Sequence, residues 1–329
     1  LQNRRSRREF TPLEERILLR RPTIKDVAKA AGVTYPTVSR VLSGKPYVAS
    51  GTRDRVMQAI EDLGYKPSAV ARSMVTKRTH TIAMLVPHLA DANFGALFAG
   101  AERQARRQGY SVIVSDYDAA LEQGGLLSEH RVDGAVFVEP ERAPHLEPLE
   151  LGIPSVVLDD VPVDNVGGAR AIAAHLHALG HRRVAVVGGP ADDLHALARH
   201  EGVQQFFADA PWLPADWSAE AGFNLAPRAL EHRVTAIVAA NDFNALGVLS
   251  ALFSRGLRVP EDISVTGFDD VPLARYFTPG LTTVRQPLEH QGERAANALL
   301  AKLSGHHLGA PTTEALEIVI RHSTGPPPK

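Results

Sequence analysis

Apolar positions recur at helical spacing three times in the first fifth of this 329-residue chain. Ile24, Val27, Ala28 and Ala31 follow i, i+3, i+4, i+7, the buried face of a short helix. Thr23 is a good N-cap, and Asp26 completes a T-x-x-D capping arrangement. Gly32 predicts the stop, because it tolerates the left-handed conformation at C′. Thr34 predicts a second N-cap. Val38, Val41 and Leu42 form the buried stripe of a helix that ends at Gly44, and the opposite face carries Tyr35, Pro36, Thr37, Ser39 and Arg40. Val56, Ala59, Ile60 and Leu63 repeat the spacing in a third helix from about Thr52 to Leu63, which Gly64 ends. The connection between the first two fits a helix-turn-helix, although a plain helical hairpin from a bundle satisfies the same pattern.

From Thr81 the pattern changes to short apolar runs alternating with helical stretches. Ile82–Val86, Val112–Ser115, Ala135–Val138, Val156–Leu158, Val184–Val187, Ile237–Ala240 and Ser264–Thr266 read as strands. Phe94–Gln108, Ala169–Leu179 and Asn244–Arg255 read as helices. This rhythm predicts an α/β body of parallel sheets flanked by helices. So many strands divide more naturally into two lobes than into one sheet. Ligands of open α/β sheets sit beyond the strand carboxyl ends. Asn241-Asp242 and Asp269-Asp270 follow two of these strands, and Asp242 and Asp270 read as helix N-caps.

Composition refines this picture. Residues 1–80 hold 17 Lys+Arg against 7 Asp+Glu, a net of +10, and residues 81–329 hold 19 against 30, a net of −11. A basic head on an acidic body suits a polyanion-binding head. The chain has no cysteine, which excludes disulfides, thiol catalysis and cysteine-ligated zinc. No apolar run approaches the ~20 residues of a membrane span, and no secretory pattern opens the chain, so no membrane partner and a cytoplasmic, nucleoid-associated location are expected. Residues 1–22, rich in arginine, could add phosphate contacts, but their composition favours a disordered extension.

Other chemistry finds little support. Gly188-Gly189-Pro190 after a strand lacks both G-x-G-x-x-G and a Walker lysine. His177 and His181 have i, i+4 spacing, but no third metal ligand is apparent, and His181 reads as a helix-end residue. No nucleophile elbow or acid–base dyad is present. No cofactor, no metal and no catalytic residues are expected, and the chain reads as a non-enzyme.

The stretch from Ile24 to Leu42 resembles the N-terminal signature of the LacI/GalR family of bacterial repressors. The likeness continues through Leu63-Gly64-Tyr65-Lys66-Pro67 and Ala69–Met74. Farther on it includes Ala240-Asn241-Asp242, Val259–Asp270 and Leu281–Pro287. It covers nearly everything after residue 22. The resemblance implies a small all-α helix-turn-helix head and a two-lobed body of the type I periplasmic-binding-protein architecture, with three crossovers near Asp159–Val163, Leu281–Gln286 and Pro311–Glu314. The expected organisation is a basic extension over 1–22, a DNA-binding domain over 23–67, a hinge over 68–79 and an effector-binding and dimerisation domain over 80–329. Within the last, lobe 1 spans about 80–160 and 286–312, and lobe 2 about 163–282 and 314–324.

By the same resemblance, Tyr35, Pro36 and Arg40 match base-reading positions. Arg40 has the geometry to pair with both guanine acceptors. Pro36 offers a thymine methyl an apolar contact, or is merely a helix-start proline. Thr34, Thr37 and Ser39 fit phosphate contacts. The hinge residues Ala71 and Met74 would enter the minor groove, with Met74 at the family's leucine wedge. Arg199, Asn241 and Asp269 resemble effector-binding residues, and Phe94 an aromatic lining position. The segments Tyr117–Arg131 and Ala208–Ala221 look shortened, and Asp91-Ala92-Asn93-Phe94 departs from the family pattern.

The function these features imply is a dimeric repressor. It would read a near-palindromic double-stranded DNA operator under the control of a sugar- or nucleoside-like effector. The alternatives are a DNA-binding regulator without an effector, or a solute-binding protein or sugar-processing enzyme built on the same body. The C-terminal tail has no leucine heptads, so no coiled-coil route to a tetramer is expected.

Overall fold

In a computed structural model of the chain, the Asp26 carboxylate accepts from both the backbone N–H (2.8 Å) and the hydroxyl (2.7 Å) of Thr23. That contact fixes the start of α1, Ile24–Ala31, and Gly32 closes it at φ 64°. α2 covers Tyr35–Leu42. α3 covers Ser50–Leu63 and ends at Gly64, φ 60°. Val27, Ala28 and Ala31 of α1, Val38 and Val41 of α2, and Val56 and Ala59 of α3 close one small core. The structure describes residues 22–43, 47–66, 73, 78–87, 89, 93–121, 125, 127, 131–138, 152–158, 163–306 and 313–329. Gly44, the basic extension up to residue 21 and most of the hinge therefore lie outside the described residues.

Two local expectations need correction. Leu42 is 37% exposed, because α2 ends there, past the edge of the three-helix core. Thr34 occupies the N-cap position, but its hydroxyl lies 3.0 Å from that of Thr37 and does not cap. The carbonyl of Thr34 already accepts from the N–H groups of Thr37 and Val38, which leaves the hydroxyl without that task.

The chain divides into two units, Leu1–Thr79 and His80–Lys329. In the second unit, β1 Thr81–Val86, β2 Ser111–Asp116, β3 Gly134–Phe137 and β4 Ser155–Val157 form a parallel sheet of order β2-β1-β3-β4. α4 (Asn93–Arg107) and the short α5 (Tyr117–Leu121) accompany it. A second parallel sheet has the order β6-β5-β7-β8, from β5 Val184–Val187, β6 Trp212–Leu213, β7 Ala236–Ala239 and β8 Ser264–Thr266. Its helices are α6 (Asn165–Ala178), α7 (Leu194–Gln204), α8 (Ala219–Glu231) and α9 (Asp242–Ser254). Every residue of β3, β5, β7 and β8 is buried, as expected of parallel strands covered on both faces.

The chain then returns. β9 (Thr283–Arg285) pairs antiparallel with β10 (Glu317–Val319). Between them, α10 (Leu288–Leu303) packs Leu299 and Leu300 into the core of the first sheet with Ile82, Met84 and Val136. The expected crossover Leu281–Gln286 is thus partly a strand. Residues 159–162 and 311–312 of the other two expected crossovers lie outside the described residues, but Val163 and Glu314 beside them form a bridge. α4 and α10 meet backbone to backbone. A Cβ on Gly100 would sit 1.8 Å from the Glu289 carbonyl oxygen, and one on Gly292 would sit 2.0 Å from that of Leu97. α6 starts four residues earlier than the apolar pattern indicates, because Asp164 Oδ1 accepts from Gly167 N–H at 2.7 Å.

The tail is sewn to the second sheet through histidines. His181 Nε2 lies 2.9 Å from the Gly325 carbonyl oxygen and Nδ1 lies 2.8 Å from Thr235 Oγ1. His175 Nε2 lies 3.0 Å from Thr324 Oγ1. His181 is thus fully engaged by protein groups, and no cluster of metal-ligating residues occurs among the described residues. Burial pushes the His175, His181 and His200 imidazoles below their ordinary value. The Gly325 carbonyl opposes this at His181 and the Ala210 carbonyl at His200, whereas the nearby His175 adds to it at His181. The unfolded chain therefore takes up protons first as pH falls. The stability these groups confer is complete above about pH 6.5 and is lost as pH drops through their depressed values. The urea midpoint should fall between pH 7.5 and 5.5, and His181→Asn should reduce that fall. An equal fall in the variant would remove His181 from the account.

Candidate functional site

α2 presents its polar face to solvent because Val38 and Val41 commit the other face to the core. Tyr35 is 58% exposed, Pro36 sits in the first turn, and Thr34, Pro36 and Arg40 are exposed, with Thr37 and Ser39 half-buried. A helix held this way offers aromatic, apolar and guanidinium groups together, a set suited to base edges. Ala71 and Met74 lie outside the described residues. The sequence reading missed Tyr47, which is 93% exposed in the connection between α2 and α3. Its only signal was an aromatic residue outside any apolar periodicity.

In the second unit, Arg199 on α7 is buried, and every side of its guanidinium meets a partner. Nε donates to Asn165 Oδ1 at 3.0 Å and Nη1 to the Ala240 carbonyl at 2.7 Å. Nη2 lies 3.6 Å from Asp269 Oδ1. The guanidinium carbon is 3.9 Å from the Phe268 ring centre and 5.2 Å from that of Trp217. Asp269 also accepts from Gln286 Nε2 at 2.7 Å. It holds φ 116°, a region that L-residues rarely adopt, next to Asp270 at φ 55°. Strain of this kind persists only where the surroundings over-determine it. A cavity of about 360 Å³ opens beside Asp269 and is also lined by Gln286, His290 and Ala96.

Arg199 and Asp269 are thus brought together, with Asn241 one residue beyond the carbonyl that Arg199 grips. The Asn241 side chain itself is committed elsewhere. Oδ1 accepts from Asn244 N–H at 2.7 Å and Nδ2 donates to the Trp217 carbonyl at 3.1 Å. Phe94 is a buried member of the first sheet's core, and Ala96, two residues on, lines the cavity in its place. Asn165, Trp217 and Gln286 were not singled out from the sequence, because an amide or an indole signals a site only through the partners the fold gives it.

The N-cap readings of Asp242 and Asp270 are overturned. Asn241 caps α9, which leaves Asp242 in its first turn and fully buried. There, Oδ2 accepts from Val271 N–H at 2.8 Å and Oδ1 from the Thr283 hydroxyl at 2.5 Å. Asp270 instead receives two arginines, Arg285 Nε at 2.8 Å and Arg321 Nη2 at 2.5 Å. Burial, and then the charge of Asp269, push the Asp242 carboxyl well above its ordinary value, against the pull of its hydrogen bonds to Thr283 and Val271.

A helix-turn-helix with an outward polar face, and an α/β unit that gathers buried polar groups at the ends of its strands, define a DNA-binding regulator with a ligand-sensing domain. Comparison with known proteins agrees. Residues 23–68 match the model of bacterial regulatory proteins of the lacI family, and residues 173–324 match a periplasmic binding protein-like domain. The HTH-type transcriptional repressor PurR of Vibrio parahaemolyticus is 35% identical, over 92% of this chain and 98% of its own. A crystal structure of the lac repressor dimer bound to operator and the anti-inducer ONPF is similar at a TM-score of 0.79 with 30% identity, covering 93% of this chain and all of that one. A complex of the regulator CelR with cellobiose is similar at a TM-score of 0.66 with 28% identity, over 92% of this chain and all of that one. The chain belongs to the lacI family of bacterial regulatory proteins and is a DNA-binding transcriptional regulator.

The raised carboxyl of Asp242 has a measurable sign. The folded state holds that proton more tightly than the unfolded one. The contribution to stability is therefore full below the ordinary carboxylate value and is lost as pH rises through the raised one. Asp242→Asn keeps an acceptor for Val271 N–H and offers Thr283 a donor, so it should match or exceed the wild type in urea stability at pH 7.5. Asp242→Leu, which strands both partners, should cost about 2–3 kcal/mol. A large loss in the asparagine variant would mean that the ionised carboxylate is itself required.

Proposed function

We propose that this regulator is a dimeric repressor that reads a near-palindromic operator through Tyr35, Pro36 and Arg40. In this reading a small uncharged effector, a sugar or nucleoside, is held at Asp269, which Arg199 orients, and sets its operator affinity. The observation that carries the reading is the buried Asp269, paired with Arg199, in the wall of a 360 Å³ cavity. A carboxylate in that wall, on a strained backbone, answers to a polar ligand better than to packing alone. Thr34, Thr37, Ser39 and Tyr47 serve phosphate contacts, and Ala71 and Met74 belong to the hinge. The domain limits given above at residues 22, 67 and 79 belong to this reading, as do its two lobes. It has no catalytic step and acts in the cytoplasm.

Arg199 is held by protein partners on every side, so its part is to orient Asp269 and to stiffen the strand ends. Effector at Asp269 competes with Gln286, which lies just after β9. That competition links ligand to the return strands. Differential affinity of this sort is what a change of state requires. Support for a second copy comes from Leu273 and Tyr276, exposed large residues three apart around the 3₁₀ turn Ala274–Tyr276, where such positions eclipse.

Fluorescence anisotropy with DNA from the protein's own upstream region, at two salt concentrations, tests the DNA side. Binding should exceed that to a scrambled sequence by ~10³ or more. Equal, steeply salt-dependent binding to both would reduce the head to non-specific affinity. Arg40→Ala should cost roughly 1–3 kcal/mol on the operator and relax its sequence preference. For the dimer, Leu273→Asp combined with Tyr276→Asp should shift sedimentation toward the monomer, and an unchanged profile would move the interface elsewhere.

A further inference from the structure

A second cavity, of about 330 Å³, shares no lining residue with the one beside Asp269. Its size lies at the lower end of the range for small-molecule pockets, about 300–1,000 Å³. Along α6 it is lined by Gly167, Ala171 and Ala174, whose short side chains leave the space open, and Leu316 and Phe206 supply larger apolar groups. α6 and α7 cover the face of the second sheet that carries Val184, Val186, Ala236 and Val238. The turn with Leu273 and Tyr276 lies on the other face, where Ala274 packs with Ala185, Val187, Ile237 and Ala239. A second copy docked at Leu273 and Tyr276 therefore leaves this cavity open.

Two neighbouring phenylalanines behave differently here. Phe207 is buried in the core, whereas Phe206 is 41% exposed, with its ring centre 5.6 Å from that of His177. The charged groups at and beside the cavity also differ. Asp164 caps α6 through Gly167 N–H. Glu314 is met by His290 and Arg294, and Glu317 by Arg285. Arg170, which lines the cavity and is exposed, has no hydrogen bond or ion pair among the described residues. A guanidinium left free beside apolar groups is suited to receive a carboxylate, through two parallel N–H donors.

We propose that this cavity is a second ligand site, which takes a small carboxylate with an aromatic body. The carboxylate pairs with Arg170, and the body lies against Phe206 and Leu316 over Ala171 and Ala174. The site stands apart from the effector reading above, because it uses a different cavity and different residues. It also borders a joint in the fold. Asp164 N–H donates to the Glu314 carbonyl at 3.0 Å, beside the bridge of Val163 with Glu314, and Leu316 follows two residues on. A ligand that spans Arg170 and Leu316 braces α6 against the segment that leads into β10, so it stabilises the folded chain.

Calorimetric titration and thermal melting of the full chain with benzoate, phenylacetate and hydrocinnamate test it, with acetate and the amide of each aromatic acid as controls. At least one aromatic acid should bind and raise the melting temperature. Acetate, which lacks the body, and the matching amide, which lacks the charge, should each bind about tenfold more weakly or worse. Arg170→Gln should weaken the acid by a similar factor and leave the ligand-free melting temperature unchanged, because the guanidinium has no partner to lose. Ala171→Leu, which fills the open space with a good helix former, should abolish binding. Asp269→Asn should leave binding of the acid unchanged. No heat from any of the three acids, equal binding of an acid and its amide, or full binding in Arg170→Gln or Ala171→Leu overturns the proposal. A lower ligand-free melting temperature in Arg170→Gln also overturns it, because the guanidinium then has a structural task. So does loss of binding in Asp269→Asn, which would put the acid in the first cavity.

Discussion

The placement of one buried cation governs the second sheet's carboxyl edge. Arg199 reaches from α7 to the end of β7 through the Ala240 carbonyl, to the start of α6 through Asn165, and to the strained turn after β8 through Asp269. The Phe268 ring lies against its face. A guanidinium is suited to this, because its donors fan out in a plane and its faces stack on aromatic rings. Burial of such a charge is tolerable only when it is fully paired. The need to pair it in turn fixes the loops after β7 and β8 and the start of α6.

A second set of buried acids tightens the same edge. Asp242 ties α9 to Val271 and Thr283, and Asp270 ties the turn after β8 to Arg285 and Arg321. The return strands β9 and β10 are thereby bound to the loop that carries Asp269. The return strands and the Asp269 loop therefore meet in a few residues instead of through the bulk of the core. The first sheet has its own core, into which α10 contributes, and the ion pairs of its helices, Arg103 with Glu289 and Glu293, are solvent-accessible between α4 and α10.

Much of this could be read from the chain beforehand. The three helices of the head follow from spacing and caps, as at Thr23, Asp26, Gly32 and Gly64, because those signals are local. The strands were placed to within a residue at β4 and β7, because fully buried parallel strands are bare apolar runs. The failures have physical causes as well. Asp242 and Asp270 follow strands as capping residues do, but Asn241 took the cap and the acids turned to partners 15 to 51 residues away in sequence. The same limit hid Trp217 and Gln286. Their identities are visible in sequence, whereas their partners exist only once the sheet is assembled.

The backbone contact between α4 and α10 has an evolutionary consequence. The obstacle at Gly100 is the Glu289 carbonyl and the obstacle at Gly292 is the Leu97 carbonyl, and main-chain atoms cannot be exchanged for smaller ones. A clash between side chains can be relieved by a compensating change at the neighbour. Here no such second-site change exists, so the two glycines offer drift no stepping stone. The rest of that helix pair is free to vary around a crossing point that must be inherited intact.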